Sequence, residues 1–198
     1  MAITNERIVW IDCEMTGLDA VNDALIEVAA LVTDSELNIL GEGVDVVIKP
    51  SDESLAQMGD FVRDMHTSSK LLDELAGGTT MEDAQAQVLA YIKKHVPVPN
   101  KAPLAGNSIG TDKVFLNRDM PELVDHLHYR VIDVSTIKEL SRRWFVRAYF
   151  QSPAKTGGHR ALGDIKDSIN ELKYYREAVF VPAPGPDSAT AKKISAKF

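Results

Sequence analysis

The most constraining feature of the sequence is a short apolar stretch that ends in two acidic residues, within residues 8–19. Residues 8–11 are Ile, Val, Trp and Ile, and β-branched and aromatic runs of this kind favour a buried strand. Asp12 and Glu14 follow at a spacing of two, so on a strand both carboxylates point to the same face. Neighbouring carboxylates repel each other unless protonation or a cation neutralises them, and oxygen ligands suit Mg²⁺ or Mn²⁺. The alternative is an exposed strand that carries two solvated acids.

The rest of the sequence predicts an α/β fold in which helices follow a first group of strands. Apolar segments separated by short acidic turns predict an antiparallel meander, at residues 6–13, 24–33 and 38–49. Short helical pieces are expected within residues 54–78, and a capped helix from residue 79 to about residue 95. Two further strands are expected at residues 104–108 and 131–134, with helices that begin near residues 110, 121 and 135 and a last long helix whose apolar residues run from 162 to 175. We therefore expect a mixed β-sheet flanked by α-helices, with Asp12 and Glu14 near its middle.

The sequence predicts one domain followed by a tail. Residues 1–180 are long enough to bury a substantial core of their own. From Val181 onwards the composition changes to Pro, Ala, Ser and Lys without a periodic apolar face. Residues 181–198 are therefore expected to be a disordered C-terminal tail.

Charge is distributed unevenly along the chain. The formal net charge of −7 argues against a protein held on long nucleic acid by its overall charge. Residues 1–30 contain six acidic residues and one basic residue, whereas residues 130–160 contain seven basic residues and two acidic ones. Such regions could bind metal and phosphate side by side, although basic residues on helices are often simply solvated.

The cysteine content and the hydropathy of the sequence indicate the cellular compartment in which the protein is expected. The single cysteine, Cys13, excludes an intrachain disulfide and fits a reducing cytoplasm, and we expect it to be a small core residue. No apolar run approaches the roughly 20 residues of a membrane span, and no basic segment followed by an apolar one marks a secretion signal. A cytoplasmic protein without a membrane partner is expected.

Two more acids and a histidine occur where helices are expected to begin. Asp112 follows a predicted strand, and Asp164 lies in the first turns of the last long helix. His159 precedes Asp164 by five residues and follows Gly157 and Gly158, which would let it swing. Taken singly, Asp112 is explained as a helix N-cap, Asp164 as an acid that complements the helix dipole, and His159 as a surface histidine. These separate explanations do not account for the order in which the residues occur.

That order resembles the DEDD exonucleases of the histidine subtype. The residues that carry the resemblance are Asp12-x-Glu14, Asp112 and His159-x4-Asp164, and the tyrosine subtype would need Tyr where Arg160 stands. Further segments look like the group of this family that degrades very short RNA, at residues 10–18, 106–112, 118–123, 129–140 and 157–162. The resemblance covers roughly residues 6–180 and implies a ribonuclease H-like fold.

The resemblance implies a 3′-to-5′ exoribonuclease that hydrolyses very short RNA, especially dinucleotides, to nucleoside 5′-monophosphates. Asp12, Glu14, Asp112 and Asp164 would hold two divalent ions, Mg²⁺ or Mn²⁺. His159 would act as the general base that takes a proton from water.

Substrate contacts and assembly are also implied by the resemblance. Leu18 would wedge between the terminal bases, and His66 would contact the substrate. The alternatives are a core residue beside a turn for Leu18 and a helix histidine with satisfied hydrogen bonds for His66. The 5′ phosphate would be received by Ser108, Arg130 and Ser135. A homodimer is implied, with Tyr129 near the interface and the partner's site.

Two other function classes remain open at this point. A haloacid-dehalogenase-type phosphatase would use Asp12 as a nucleophile, with Glu14 and Thr16 in its motif and a distal acidic motif at residues 163–167. The general acid of that phosphatase is normally Asp, whereas Glu14 stands here, and its distal motif normally follows a strand, whereas residues 163–167 are expected in a helix. A non-catalytic RNA-binding module is the second alternative, but clustered acids would repel the RNA backbone. A covalent aspartyl-phosphate would support the phosphatase, and metal-independent binding would support the binding module.

Overall fold

The structure, a computed structural model, describes residues 6–156 and 158–198, which form a five-stranded sheet with helices on both faces. The strands are β1 (Arg7–Met15), β2 (Leu25–Asp34), β3 (Ile39–Val47), β4 (Pro103–Gly106) and β5 (His128–Asp133). The helices are α1 (Asp52–Gln57), α2 (Asp60–Ser68), α3 (Leu71–Glu74), α4 (Met81–His95), α5 (Gly110–Asp119), α6 (Pro121–His126), α7 (Val134–Trp144), α8 (Val146–Phe150), α9 (Ala161–Ala178) and α10 (Ser188–Ser195). The mixed, helix-flanked sheet that the sequence predicts is confirmed.

The strand order is β3-β2-β1-β4-β5, so β1 is the central strand. β1 pairs antiparallel with β2, and β2 pairs antiparallel with β3, which is the predicted meander. β4 lies parallel to β1, and β5 lies parallel to β4. Asp12 and Glu14 are therefore carried by the middle of the sheet, as expected.

Alternation along β1 separates two cores. Val9, Ile11 and Cys13 face the core that packs under α4, α5 and α6. Trp10 faces the opposite core, where it packs with α7 and α9. Side chains at alternate positions of a strand lie on the same face, so Asp12 and Glu14 project to the same side of the sheet as Trp10. That side is covered by α9. The expected role of Cys13 as a buried core residue is confirmed.

The C-terminal tail contains a helix that the sequence pattern did not predict. Asp187 caps α10 by accepting a hydrogen bond from the Thr190 N–H at 2.7 Å. No residue of α10 is buried, so this helix is supported by its cap rather than by a packed face. The disorder expected for residues 181–198 stays a prediction.

The helices among the described residues are all too short or too polar to cross a bilayer.

Candidate active site

Four acids from three separate segments converge at one end of the central strand. Asp12 and Glu14 lie on β1, while Asp112 and Asp164 lie in the first turns of α5 and α9. Burial raises the pKa of Asp12 well above its usual value, and the negative charges of Asp112, Glu14 and Asp164 raise it further. Asp112 hydrogen-bonds to the backbone N–H of Cys13, which lies between Asp12 and Glu14, and ligand atoms of Glu14 and Asp164 lie within 4.8 Å of each other. The structure thus brings together the four acids that the sequence singled out.

His159 completes the cluster. Among the described residues, ligand atoms of Glu14, His159 and Asp164 all lie within 4.8 Å of one another. Glu14 is buried, Asp164 is half-buried and His159 is exposed, so the group opens from the core towards solvent. A substrate can approach from the side on which His159 lies.

The negatively charged forms of these carboxyl groups are unfavourable unless a cation is bound. Burial is the main reason that the pKa of Glu14 rises to about 8, and the charge of Glu27 adds to it. Burial likewise raises the pKa of Asp112 to about 6, and it also raises the pKa of Asp164. A divalent cation would remove this strain, and oxygen-only ligands are the donors that Mg²⁺ and Mn²⁺ prefer. The donor set therefore fits a divalent-metal site.

Asp112 is not the N-cap of its helix, which was the simplest explanation from the sequence. The N-cap of α5 is Ile109, and Asp112 lies within the first turn. Its Oδ1 accepts a hydrogen bond from the backbone N–H of Cys13 at 3.0 Å. This bond ties the start of α5 to β1 at the residue between Asp12 and Glu14.

The backbone before α9 is unusual. His159 has a φ of 58°, in the left-handed region, and Gly158 has a φ of 66°. That region is unfavourable for a residue with a side chain, so the fold must hold His159 in place. Gly157, the other glycine of the predicted hinge, lies outside the described residues.

The loop after β1 presents Leu18 on a rigid frame. Leu18 is 76% exposed. Asp23 accepts hydrogen bonds from the Thr16 hydroxyl at 3.0 Å and the Asp19 N–H at 2.8 Å. Gly17 packs so closely on the Asp23 carboxylate that a Cβ at this position would clash with it. The hydrogen bonds of this loop thus hold an apolar side chain exposed to solvent directly after β1, and its role as a wedge stays a prediction.

His66 lies beside the acids but is fully buried. Its Nε2 donates a hydrogen bond to the Met15 carbonyl at 2.9 Å, which leaves Nδ1 as the acceptor of a neutral imidazole. Nδ1 is 4.0 Å from Glu14 Oε2 and has no hydrogen-bond partner among the described residues. Burial lowers the pKa of His66, which favours that neutral form. The substrate contact stays a prediction, and it would require a rearrangement that exposes this side chain.

Ser108, which follows β4, lies next to Ser135 in the first turn of α7. Their hydroxyl oxygens are 3.0 Å apart, and the Ser135 hydroxyl donates to Asn107 Oδ1 at 3.1 Å. Asp133 Oδ1 accepts the backbone N–H groups of both serines, at 3.0 and 2.9 Å. The sequence indicated both serines as candidate site residues. It did not indicate that Asn107 hydrogen-bonds to Ser135, because the partner of an amide side chain cannot be read from a motif.

Tyr129 and Arg130 do not join these serines within one chain. Both lie on the edge strand β5, where Arg130 Nε donates to the Tyr129 hydroxyl at 3.1 Å. Arg130 lines a pocket of about 460 Å³ with Arg7 and other residues, whereas Ser135 lines a different pocket. The expected contact of Arg130 and Ser135 with one phosphate therefore stays a prediction.

Several basic residues of the 130–160 region are engaged in ion pairs rather than available for phosphate. Lys138 pairs with the buried Glu171 at 3.1 Å. Arg142 and Arg143 both pair with Glu139, as expected for solvated helix residues. The basic excess of this region therefore overstates the positive charge that is free to face a substrate.

A buried ion pair beside the acids was not predicted from the sequence. Glu27 of β2 is fully buried and lies opposite Glu14 in the strand register. Its Oε1 accepts a hydrogen bond from Arg160 Nε at 2.8 Å. One indication of the ion pair was present in the sequence: Glu27 is a single acid inside an apolar strand. A buried carboxylate is rare unless it is paired.

The chain is similar in sequence to known proteins. A protein-family model described as Exonuclease matches residues 9–172. An oligoribonuclease from Streptomyces griseus is 69% identical over 194 residues, which cover 98% of this chain and 96% of that protein. An oligoribonuclease from Cutibacterium acnes is 61% identical over 191 residues, which cover 96% of this chain and 95% of that protein.

A solved structure of much lower identity shows the same fold. The zinc-bound complex of E. coli ExoI with single-stranded DNA matches with a TM-score of 0.66 at 17% identity. The match covers 87% of this chain but 41% of the ExoI chain, so this protein spans less than half the length of that relative. With an exonuclease model matched over most of its length and relatives of the same length above 60% identity, the chain belongs to the oligoribonuclease family.

Proposed function

We propose that this protein is a 3′-to-5′ exoribonuclease that degrades very short RNA, dinucleotides above all, to nucleoside 5′-monophosphates. The observation that carries the proposal is the convergence of Asp12, Glu14, Asp112 and Asp164, with His159 at the open side of the cluster. The haloacid-dehalogenase alternative is disfavoured because Asp164 lies within α9 rather than after a strand. A binding module would gain nothing from four strained carboxylates.

The four acids would hold divalent ions, and we propose Mg²⁺ or Mn²⁺, two per site. The raised pKa of each carboxyl supports this assignment, because a bound cation would relieve both the desolvation and the mutual repulsion. When bound, such ions lower the pKa of a coordinated water and stabilise the charge of the departing oxygen.

His159 would act as the general base. An imidazole nitrogen would take the proton of the attacking water while the water oxygen bonds to phosphorus and the bond to O3′ breaks. The exposure of His159 and its distance from Glu14 and Asp164 suit that role, since the base must reach a water at the cluster. The products are a nucleoside 5′-monophosphate and an RNA one nucleotide shorter.

Substrate length would be set by contacts at both ends of a short chain. Leu18 would wedge between the terminal bases, and His66 would contact the substrate once the groups that cover this buried side chain move aside. Ser108 and Ser135 would receive the 5′ phosphate from within one chain. Tyr129 and Arg130 would reach the same phosphate from the partner in a homodimer, because β5 is an exposed edge strand.

We also propose a cytoplasmic location and an exonuclease domain at residues 1–180 followed by a tail at residues 181–198. The single buried cysteine suits a reducing compartment. The exonuclease match ends at residue 172, before that tail begins.

Incubation of 5′-phosphorylated RNAs of two to ten nucleotides, with Mg²⁺, Mn²⁺ or EDTA, tests the proposal. We expect nucleoside 5′-monophosphates, no free phosphate, no reaction in EDTA, and the highest catalytic efficiency on the dinucleotide. Substituting any one of the four acids by Asn or Gln should nearly abolish turnover. Release of inorganic phosphate would favour a phosphatase, and equal efficiency on the ten-nucleotide RNA would refute the preference for short substrates.

A further inference from the structure

Glu27 reaches from the sheet into the segment that joins His159 to Asp164. Its Oε1 accepts from Arg160 Nε at 2.8 Å, and its Oε2 accepts from the backbone N–H of Ala161 at 3.0 Å. Ala161 is the first residue of α9, and its N-cap, Arg160, makes no side-chain cap hydrogen bond. The carboxylate of a distant strand therefore supplies the cap that the local sequence of α9 lacks.

The other side of Arg160 is also held. Its two terminal nitrogens donate to both carboxylate oxygens of Glu74, at 2.8 and 3.0 Å. The guanidinium is thus fixed between Glu27 and Glu74, a planar arrangement that Lys could not reproduce. We call Glu27, Arg160, Ala161 and Glu74 the Glu27 clamp.

The clamp holds the residue directly after His159. His159 is exposed and has a φ of 58°, so neither burial nor backbone preference holds it in place. Asp164 is less dependent on the clamp, because the buried side chains of Ile165 and Ile169 anchor α9 to the sheet. Loss of the clamp should therefore displace His159 before it displaces Asp164.

A purely structural anchor would not need a charge at this place. Glu27 lies opposite Glu14, and its negative charge adds to the repulsion within the acid cluster. A well-packed apolar pair often stabilises a fold as well as a buried ion pair does. An apolar pair could not accept the Ala161 N–H or orient Arg160, and that orientation is what the charged pair provides.

We propose that Glu27 is a positioning residue for catalysis, which holds Arg160 and the Ala161 N–H so that His159 faces Glu14 and Asp164. This inference rests on the proposed function, in which His159 is the general base. Neither the family match nor the motif residues assign a role to Glu27.

The test is a double-mutant cycle between Glu27→Gln and His159→Ala. kcat and KM are measured on a 5′-phosphorylated RNA dinucleotide at saturating divalent metal. We expect Glu27→Gln alone to lower kcat at least tenfold with KM changed less than threefold. In the His159→Ala background the same substitution should lower kcat less than threefold, because the residue it positions is absent. The matched control, Glu36→Gln, removes an exposed ion pair with Arg176 at the other end of α9 and should change kcat less than twofold.

A metal-free readout accompanies the kinetics. Hydrogen exchange of a peptide that spans the start of α9, measured in EDTA, should be faster in Glu27→Gln than in wild type and Glu36→Gln. If Glu27→Gln does not fold, as judged by circular dichroism, Arg160→Lys takes its place with the same expected pattern.

Equal losses of kcat in both backgrounds, or unchanged exchange at α9, would refute the positioning role. The failure of the proposed function has a different signature. In that case wild type would not cleave the dinucleotide, or His159→Ala would keep the wild-type kcat.

Discussion

Glu14→Gln should stabilise the metal-free protein while it abolishes hydrolysis. Glu14 is 8% exposed, and burial together with the charge of Glu27 raises its pKa from 4.5 to about 8. The folded state therefore keeps a proton that the unfolded state has lost between these two pH values. Stability falls as pH rises through this window, because the folded protein must then either hold the proton or bury the charge.

The size of the effect follows from the shift. One pKa unit corresponds to about 1.4 kcal/mol, so the advantage of Glu14→Gln over wild type should grow by about 3 kcal/mol between pH 5 and pH 7.5. Urea unfolding in EDTA at both pH values measures this difference directly. Glu42→Gln, on the exposed strand β3, is the control and should show no such growth.

Adding Mg²⁺ or Mn²⁺ should reverse the order of stability. Wild type gains the free energy of metal binding, whereas a protein without the Glu14 carboxylate gains less. The reasoning would be refuted if wild type and Glu14→Gln lost the same free energy of unfolding between pH 5 and pH 7.5 in EDTA. Such a result would mean that Glu14 is solvated in the folded protein and is not strained by its neighbours.

Three further predictions concern the base, the tail and the dimer. His159→Ala should lower kcat by about 10²–10⁴-fold without weakening metal binding in a calorimetric titration, and retention of full activity would exclude it as the base. Truncation after Pro182 should leave the melting temperature and dinucleotide cleavage unchanged, since α10 buries no residue; a large fall in melting temperature would show that the tail docks. Tyr129→Ala should weaken both dimerisation and catalysis, because this side chain is 73% exposed on an edge strand. Light scattering that finds wild type monomeric at micromolar concentration would refute the dimer.

The central strand was predictable because its signal is local. The apolar run before Asp12, the spacing to Glu14 and the turn residues beyond all act within a few positions. The long helix α9 was predictable for the same reason, since its apolar residues recur at intervals of three and four. Short elements such as α10 depend on one cap, so periodicity could not reveal them.

Partners across the fold could not be predicted in this way. Glu27 is an acid in an apolar strand, and nothing near it in the sequence indicates Arg160, 133 positions later. Asp112 looked like an N-cap because helix starts attract acids, yet its bond goes to the backbone of β1. In both cases the partner is set by which elements lie side by side, and a linear pattern does not contain that information.

The convergence of the acids follows from strand order. β4 runs parallel to β1, so both strands end at the same edge of the sheet, and α5 begins there with Asp112 in its first turn. The last helix reaches that edge from a third direction, and Glu27 fixes its first residue from the neighbouring strand. A change in the pairing of β1 with β2 or β4 would therefore separate the carboxylates even if every acid were kept. Predicting from the sequence that all four acids converge therefore requires knowing both strands that pair with β1. The predicted antiparallel hairpin identifies β2 but not β4.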